Sequence, residues 1–132
     1  MDNTEKNSYV KKQITDALLN LLQEKELKDI SISEITSTAQ VSRISFYRNY
    51  SYKEDIIKEY ISLTLNEWNK NHPKVGDYTE DDILGDIFAY IIEYKDFYLL
   101  LRDRGIFYFL KYILMDALGP KDEYPNFGAY TA

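Results

Sequence analysis

The sequence predicts an all-α protein: a small N-terminal three-helix domain of helix-turn-helix type, joined by a long fourth helix to a second helical region. Three observations predict it. Apolar residues recur at spacings of three and four through most of the chain. No stretch of any length alternates apolar and polar residues as a half-buried strand would. The periodic segments are bounded by helix caps and helix stops.

The first helix spans about Thr4 to Lys25, with Val10, Ile14, Ala17, Leu18, Leu21 and Leu22 as one apolar stripe. Leu27 and Ile30 carry the core through the connection. The second helix opens at Ser31, which with Glu34 forms a Ser-x-x-Glu capping box, and turns Ile32, Ile35 and Ala39 inward. Ala39-Gln40-Val41-Ser42 makes a tight turn, which Gln40 adopts at some cost in strain. The third helix opens at Ser42, with Ile44, Phe46, Tyr47 and Tyr50 as its bulky positions; Phe46 and Tyr50 are expected in the core. A second capping box, Ser51 to Glu54, opens the fourth helix. It continues through Ile56, Ile57, Tyr60, Ile61, Leu63, Leu65 and Trp68 to about Asn71, long enough to leave the first domain. His72-Pro73-Lys74-Val75-Gly76-Asp77 is a loop by its Pro and Gly. Thr79 caps a fifth helix over Glu80–Tyr94. A sixth spans Phe97–Arg104 and stops at Gly105. A seventh spans Phe107–Leu118 and stops at Gly119-Pro120. The domains expected are 1–55 and 56–132.

The 132 residues are 45% hydrophobic and 29% charged, ordinary for a globular protein. No apolar run reaches the about 20 residues of a membrane-spanning helix, and Met1-Asp2-Asn3-Thr4-Glu5-Lys6 lacks the layout of a signal peptide. There is no cysteine, so no disulfide framework. A cytoplasmic location with no membrane partner is the simplest expectation. An enzyme is not expected. The one histidine, His72, lies in a loop, and no Gly-rich phosphate loop is present. The carboxylates Glu80, Asp81, Asp82 and Asp86 stand at a helix start, where they complement the dipole. They lack the neutral oxygen ligands of a metal site, so neither metal nor cofactor is expected.

Function is expected on the third helix. Its polar residues, Ser42, Arg43, Ser45, Tyr47, Arg48 and Asn49, are types that contact phosphates and base edges. Arg43, at the helix start, suits guanine O6 and N7, and Asn49 suits adenine N6 and N7. Ser42 fits both an N-cap and a phosphate contact. Ser45 fits phosphate or base, Arg48 either backbone or bases, and Tyr47 both packing and phosphate. Lys53 opposes the dipole of the fourth helix, which helix stability does not explain and a phosphate contact does. The net charge of −6 seems at odds with DNA, but its distribution weakens the objection. Residues 1–55 carry 8 basic against 9 acidic side chains, a net of −1, and residues 56–132 carry 8 against 13, a net of −5. Within 31–53, Arg43, Arg48 and Lys53 face Glu34 alone, a net of +2. Such a chain binds nonspecific DNA weakly and relies on a specific site.

The segments Ile30-Ser31-Ile32-Ser33-Glu34-Ile35, Ala39-Gln40-Val41-Ser42-Arg43, Phe46-Tyr47-Arg48-Asn49-Tyr50 and Lys53-Glu54-Asp55-Ile56-Ile57 resemble the DNA-binding domain of the tetracycline-repressor-like (TetR) family. The resemblance covers about residues 8 to 58. Gln40, Ile44 and Asn49 depart from it, standing where that family usually has Gly, often Gly and often His. The resemblance implies a transcriptional regulator, most often a repressor, that reads an inverted repeat in double-stranded DNA as a homodimer and is released by a small-molecule effector. It implies that Tyr47 reaches a backbone phosphate and that Ser31 and Ser33 touch the other side of the groove, Ser31 being first a cap. The segment around 83–118 resembles the C-terminal domain common in such regulators from low-GC Gram-positive bacteria. Two further long helices, the usual dimer surface, would follow in that family, so the regulatory domain is expected to be partial and dimerisation of this chain to be impaired. The aromatic second half, with Tyr90, Tyr94, Tyr98 and Phe109, fits an effector pocket or plain helix packing. The competing expectation is an interaction protein that pairs with a related regulator without reading DNA itself.

Overall fold

Residues 3–74 and 76–118 are described by the computed structural model. They form seven α-helices and, among the described residues, no strand: α1 Asn3–Leu22, α2 Ile32–Ala39, α3 Arg43–Asn49, α4 Lys53–Asn71, α5 Glu80–Glu93, α6 Lys95–Asp103 and α7 Tyr108–Leu118. A single 3₁₀ turn, Leu27–Asp29, bridges α1 and α2. The protein is all-α. The stop expected at Gly119-Pro120, the remainder to residue 132 and Val75 lie outside the described residues.

The apolar stripe of α1 buries Ile14, Ala17, Leu18 and Leu22 against α2, α3 and α4. Ile35 of α2, Phe46 of α3, and Ile56 and Ile57 of α4 close the same core. The buried cluster runs on without a break through Ile61 and Trp68 of α4 to Tyr90, Tyr98, Leu101, Phe109 and Leu110. The expected boundary at residues 55 and 56 therefore falls in the first turn of α4 and within one continuous core. α7 packs on α4, and α5 on α6.

Local chemistry sets the ends. Ser31 Oγ accepts the Glu34 amide at 3.1 Å and caps α2, and the Glu34 carboxylate pairs with Lys25, which together with the Ser31 amide holds it below the ordinary carboxylate range. Thr79 caps α5, with the Thr79 amide donating to Asp82 Oδ2 at 2.9 Å. Of the box expected at Ser51 and Glu54, only the carboxylate half forms, and one residue later: the Tyr52 amide donates to Asp55 Oδ2 at 3.0 Å, and α4 starts at Lys53 with no side-chain cap from Tyr52. α5 and α6 are separated by Tyr94 alone, so α6 begins at Lys95, two residues earlier than expected.

Two helices end in Schellman motifs. Gly105, at φ 72°, donates to the Arg102 carbonyl and Ile106 donates to that of Leu101, closing α6. Gln40, at φ 58° and ψ 43°, does the same for α2: its amide donates to the Ser37 carbonyl and that of Val41 to Thr36. Gln40 is the one non-glycine residue with positive φ among the described residues, and its Cβ crowds the following carbonyl there.

Lys53 is not free. Its Nζ donates to the carbonyls of Leu27 and Ile30 at 2.6 and 2.7 Å. Where a phosphate contact is expected of it, the ammonium makes a structural one: it holds two carbonyls of the α1–α2 connection, that of Leu27 in addition to the Ile30 amide.

Two changes test this account by chemical denaturation. Gln40→Gly relieves the left-handed strain and stabilises the chain by about 0.5–1 kcal/mol. Lys53→Met leaves two carbonyls without their charged donor and destabilises it by about 1.5–3 kcal/mol. A Lys53→Met variant as stable as the parent would show that the two contacts are dispensable.

Candidate nucleic-acid interface

The short helix α3 stands on one aromatic anchor. Phe46 is fully buried; the Tyr47 ring meets it edge-on at 5.3 Å and the Tyr50 ring lies 5.8 Å away. Tyr50 is buried as well, and burial, with Glu59 nearby, pushes its hydroxyl up to about 12. With Phe46 and Tyr50 inward, Arg43, Ile44, Tyr47 and Arg48 are left on the exposed side.

The N-terminal end of this face is held by hydroxyls. Ser42 Oγ accepts the Ser45 amide at 3.0 Å, so Ser42 is the N-cap, and its own hydroxyl donates to Ser45 Oγ at 3.1 Å. Arg43 Nη1 donates to Ser33 Oγ of α2 at 3.0 Å. Ser33, Ser42, Arg43 and Ser45 thus form a contiguous polar patch that spans both short helices. Tyr47, half exposed, and Arg48 extend it along α3.

The other expected contacts are placed differently. Asn49 is partly buried and its Nδ2 donates back to the Ser45 carbonyl at 2.8 Å, so its amide is turned along the helix rather than outward. Ser31 is engaged in capping α2, and Lys53 is tied to the α1–α2 connection. Ile44, read from the sequence as one of the bulky positions of the helix, is 68% exposed. The signal that could have found it is its offset: two residues before the buried Phe46, a helical residue lies on the opposite side.

The four aromatic residues considered for an effector are not gathered around one space. Tyr90 and Tyr98 are buried, and their hydroxyls are hydrogen-bonded to each other, with Thr64 Oγ1 2.7 Å from Tyr90. Thr64 in turn bonds to the Tyr60 and Ile61 carbonyls of α4. This polar chain packs α4, α5 and α6 together. Burial pushes both hydroxyls above the ordinary tyrosine value of 10.0, and the bond to Tyr90 adds to the effect at Tyr98. Phe109 is also buried, with Lys58 Nζ 5.9 Å from its ring, and Tyr94 is half-buried against Tyr90. Only Tyr90 borders the cavity of about 190 Å³ between α4, α5 and α7, which Leu65, Trp68, Ile87 and Leu114 line on the apolar side and Asn69 and Asp86 on the polar side. Trp68 lines it with a buried indole N–H that has no partner among the described residues, while its ring stacks on His72 at 3.5 Å. Sequence reasoning missed Trp68 because an indole in an apolar stripe looks like core. Among the described residues no cluster of His, Cys, Asp or Glu could hold a metal, and no helix is long and apolar enough to cross a membrane.

Compared with protein-family models, curated proteins and solved structures, the chain matches none of them.

The buried hydroxyls define an alkaline limit. Their folded values are raised, so in these groups stability is full below pH 10 and falls above it, as the unfolded chain ionises tyrosines that the folded chain holds neutral. Each such tyrosine steepens the loss by up to about 1.4 kcal/mol per pH unit. Denaturation between pH 9 and pH 12 is expected to show the decline, and Tyr98→Phe to make it shallower. An unchanged slope in that variant would place the loss elsewhere.

Proposed function

We propose that this chain is a sequence-specific DNA-binding transcriptional regulator of the TetR type, a repressor relieved by a small molecule. The observation that carries the proposal is the outward face of α3. On a helix of seven residues, Arg43, Tyr47 and Arg48 are exposed together, and the Arg43 guanidinium is bonded to Ser33 of the neighbouring helix. A short helix anchored by a buried ring, with cations and hydroxyls outward, fits the width of the major groove. Two copies would place their α3 helices on an inverted repeat. The cavity beside Trp68 supports the effector part of the reading, because it joins apolar walls to an unpartnered donor in the second half of the chain.

A second reading has its own observation. Leu84, Phe88 and Ile92 recur every four residues along α5 and are 54 to 68% exposed, an apolar stripe that nothing in the described residues covers. That favours a protein that pairs with a related regulator and does not itself read DNA.

Selection of duplexes from a random pool separates the two. Under the first reading an inverted repeat is enriched, and its affinity falls steeply with salt. Arg43→Ala then costs about 1–3 kcal/mol and relaxes preference at one base pair, whereas Arg48→Ala, if its contact is to phosphate, weakens all sequences alike. No enrichment even at low salt would remove direct DNA reading and leave the pairing role. Trp68, the single tryptophan, gives the effector part a separate readout. A ligand entering the cavity should change its fluorescence, and one that lowers operator affinity without doing so binds elsewhere.

A further inference from the structure

Ile44 is the second residue of α3, the largest aliphatic side chain on that helix, and 68% exposed. It belongs neither to the buried cluster nor to the apolar side chains packed against it. Its exposed neighbours on the helix are Arg43, Tyr47 and Arg48, all of them hydrogen-bond donors. A β-branched side chain in a helix has essentially one χ1 rotamer, so the Ile44 Cγ2 methyl is held at a fixed place relative to the Arg43 and Arg48 backbones. The N-terminal residues of a helix laid in the major groove are those that reach base edges. The edges there present donors, acceptors and one apolar group, the 5-methyl of thymine.

We propose that Ile44 is a specificity-determining residue that reads a thymine 5-methyl group beside the base pair contacted by Arg43. This rests on the DNA-reading proposal and sharpens it. Arginine and tyrosine donors discriminate by hydrogen bonds and gain nothing from a methyl group. An exposed isoleucine gains only from apolar contact. Together they define a step in which a hydrogen-bonded base and a thymine lie next to each other in the groove.

The test uses the whole chain and the duplex it enriches from a random pool. Each thymine is replaced in turn by deoxyuridine, which removes the 5-methyl group and leaves base pairing intact. At one position in each half-site the replacement is expected to weaken binding about fourfold, the effect of one buried methyl group. Ile44→Ala is expected to bind the thymine duplex more weakly and to bind the thymine and uracil duplexes at that position equally well. Ile44→Val, which keeps the branch, should retain part of the discrimination, and helical circular dichroism checks that both variants are folded. If no uracil replacement weakens the parent, or if the same loss persists in Ile44→Ala, the assignment of Ile44 is overturned while DNA reading stands. If no duplex is enriched at all, DNA reading fails and this inference with it.

Discussion

A helix ends with carbonyls that no amide of its own can reach, and those at the end of α1 are taken up by side chains from far along the chain. The backbone of Gln23, Glu24 and Lys25 turns back onto Asn20 and Leu21, which leaves the carbonyls of Leu22 and Gln23 for other donors. Arg104 takes both, its Nη2 lying 2.6 Å from the Gln23 oxygen and its Nε bonded to that of Leu22. A few residues on, Lys53 holds the carbonyls of Leu27 and Ile30. The segment that seats α2, and through it α3, is therefore fixed by two cations from later in the chain. Gly105 matters here for a reason beyond ending α6. Its left-handed turn closes the helix onto Arg102 and Leu101, and that closure leaves Arg104 facing the end of α1.

This arrangement gives the regulator proposal a mechanical basis. α4 runs unbroken from Lys53 to Asn71. Lys53 grips the carbonyl of Ile30, immediately before the cap of α2, and Trp68 lines the cavity about 22 Å further along the same helix axis. A rigid rod between a cavity and the seat of α2 converts a small tilt at one end into a displacement at the other. A ligand acts on it only through the difference in its affinity for the two tilts. The hydroxyl chain of Thr64, Tyr90 and Tyr98 pins the middle of that rod to α5 and α6, so α4 cannot tilt without moving those two helices or breaking a buried network.

What was legible in the sequence is what is local. The caps at Ser31, Ser42 and Thr79 involve an oxygen and an amide three residues apart, and the stripe of α1 is read from spacings of three and four. Gly105 is a stop for the same reason. The errors lie where a side chain answers to something distant. Lys53 looks misplaced at a helix start until the carbonyls 23 and 26 residues earlier are seen. The start of α4 is one residue later than its Ser-x-x-Glu pattern implies, because Asp55 rather than Glu54 reaches back to a free amide. Arg104 bonds to residues 81 and 82 positions away, a contact no local pattern encodes. Orientation is the other property that spacing leaves open on so short a helix. The amide of Asn49 folds back onto Ser45, and Ile44 turns outward because Phe46 is the residue that the core of α3 accepts.

The contact between Arg43 and Ser33 bears on how such a face would read DNA. Both side chains are exposed, so the bond competes with water and adds little to stability. Its effect is on the starting ensemble. An unrestrained arginine loses up to about 2 kcal/mol of rotamer freedom when it is fixed on a base, and an arginine already aligned against α2 loses less. The net charge of −6 acts in the opposite direction. It repels phosphates at long range, but beyond about 8 Å salt screens that repulsion, whereas contacts at the α3 face would be made well inside this distance. Under the DNA-reading proposal, repulsion would fall on every sequence alike, and preorganisation of Arg43 would favour only the sequence that places a guanine before it. As a DNA reader, an acidic chain with a small, aligned cationic face would give up general affinity for DNA and keep the difference between one site and the rest.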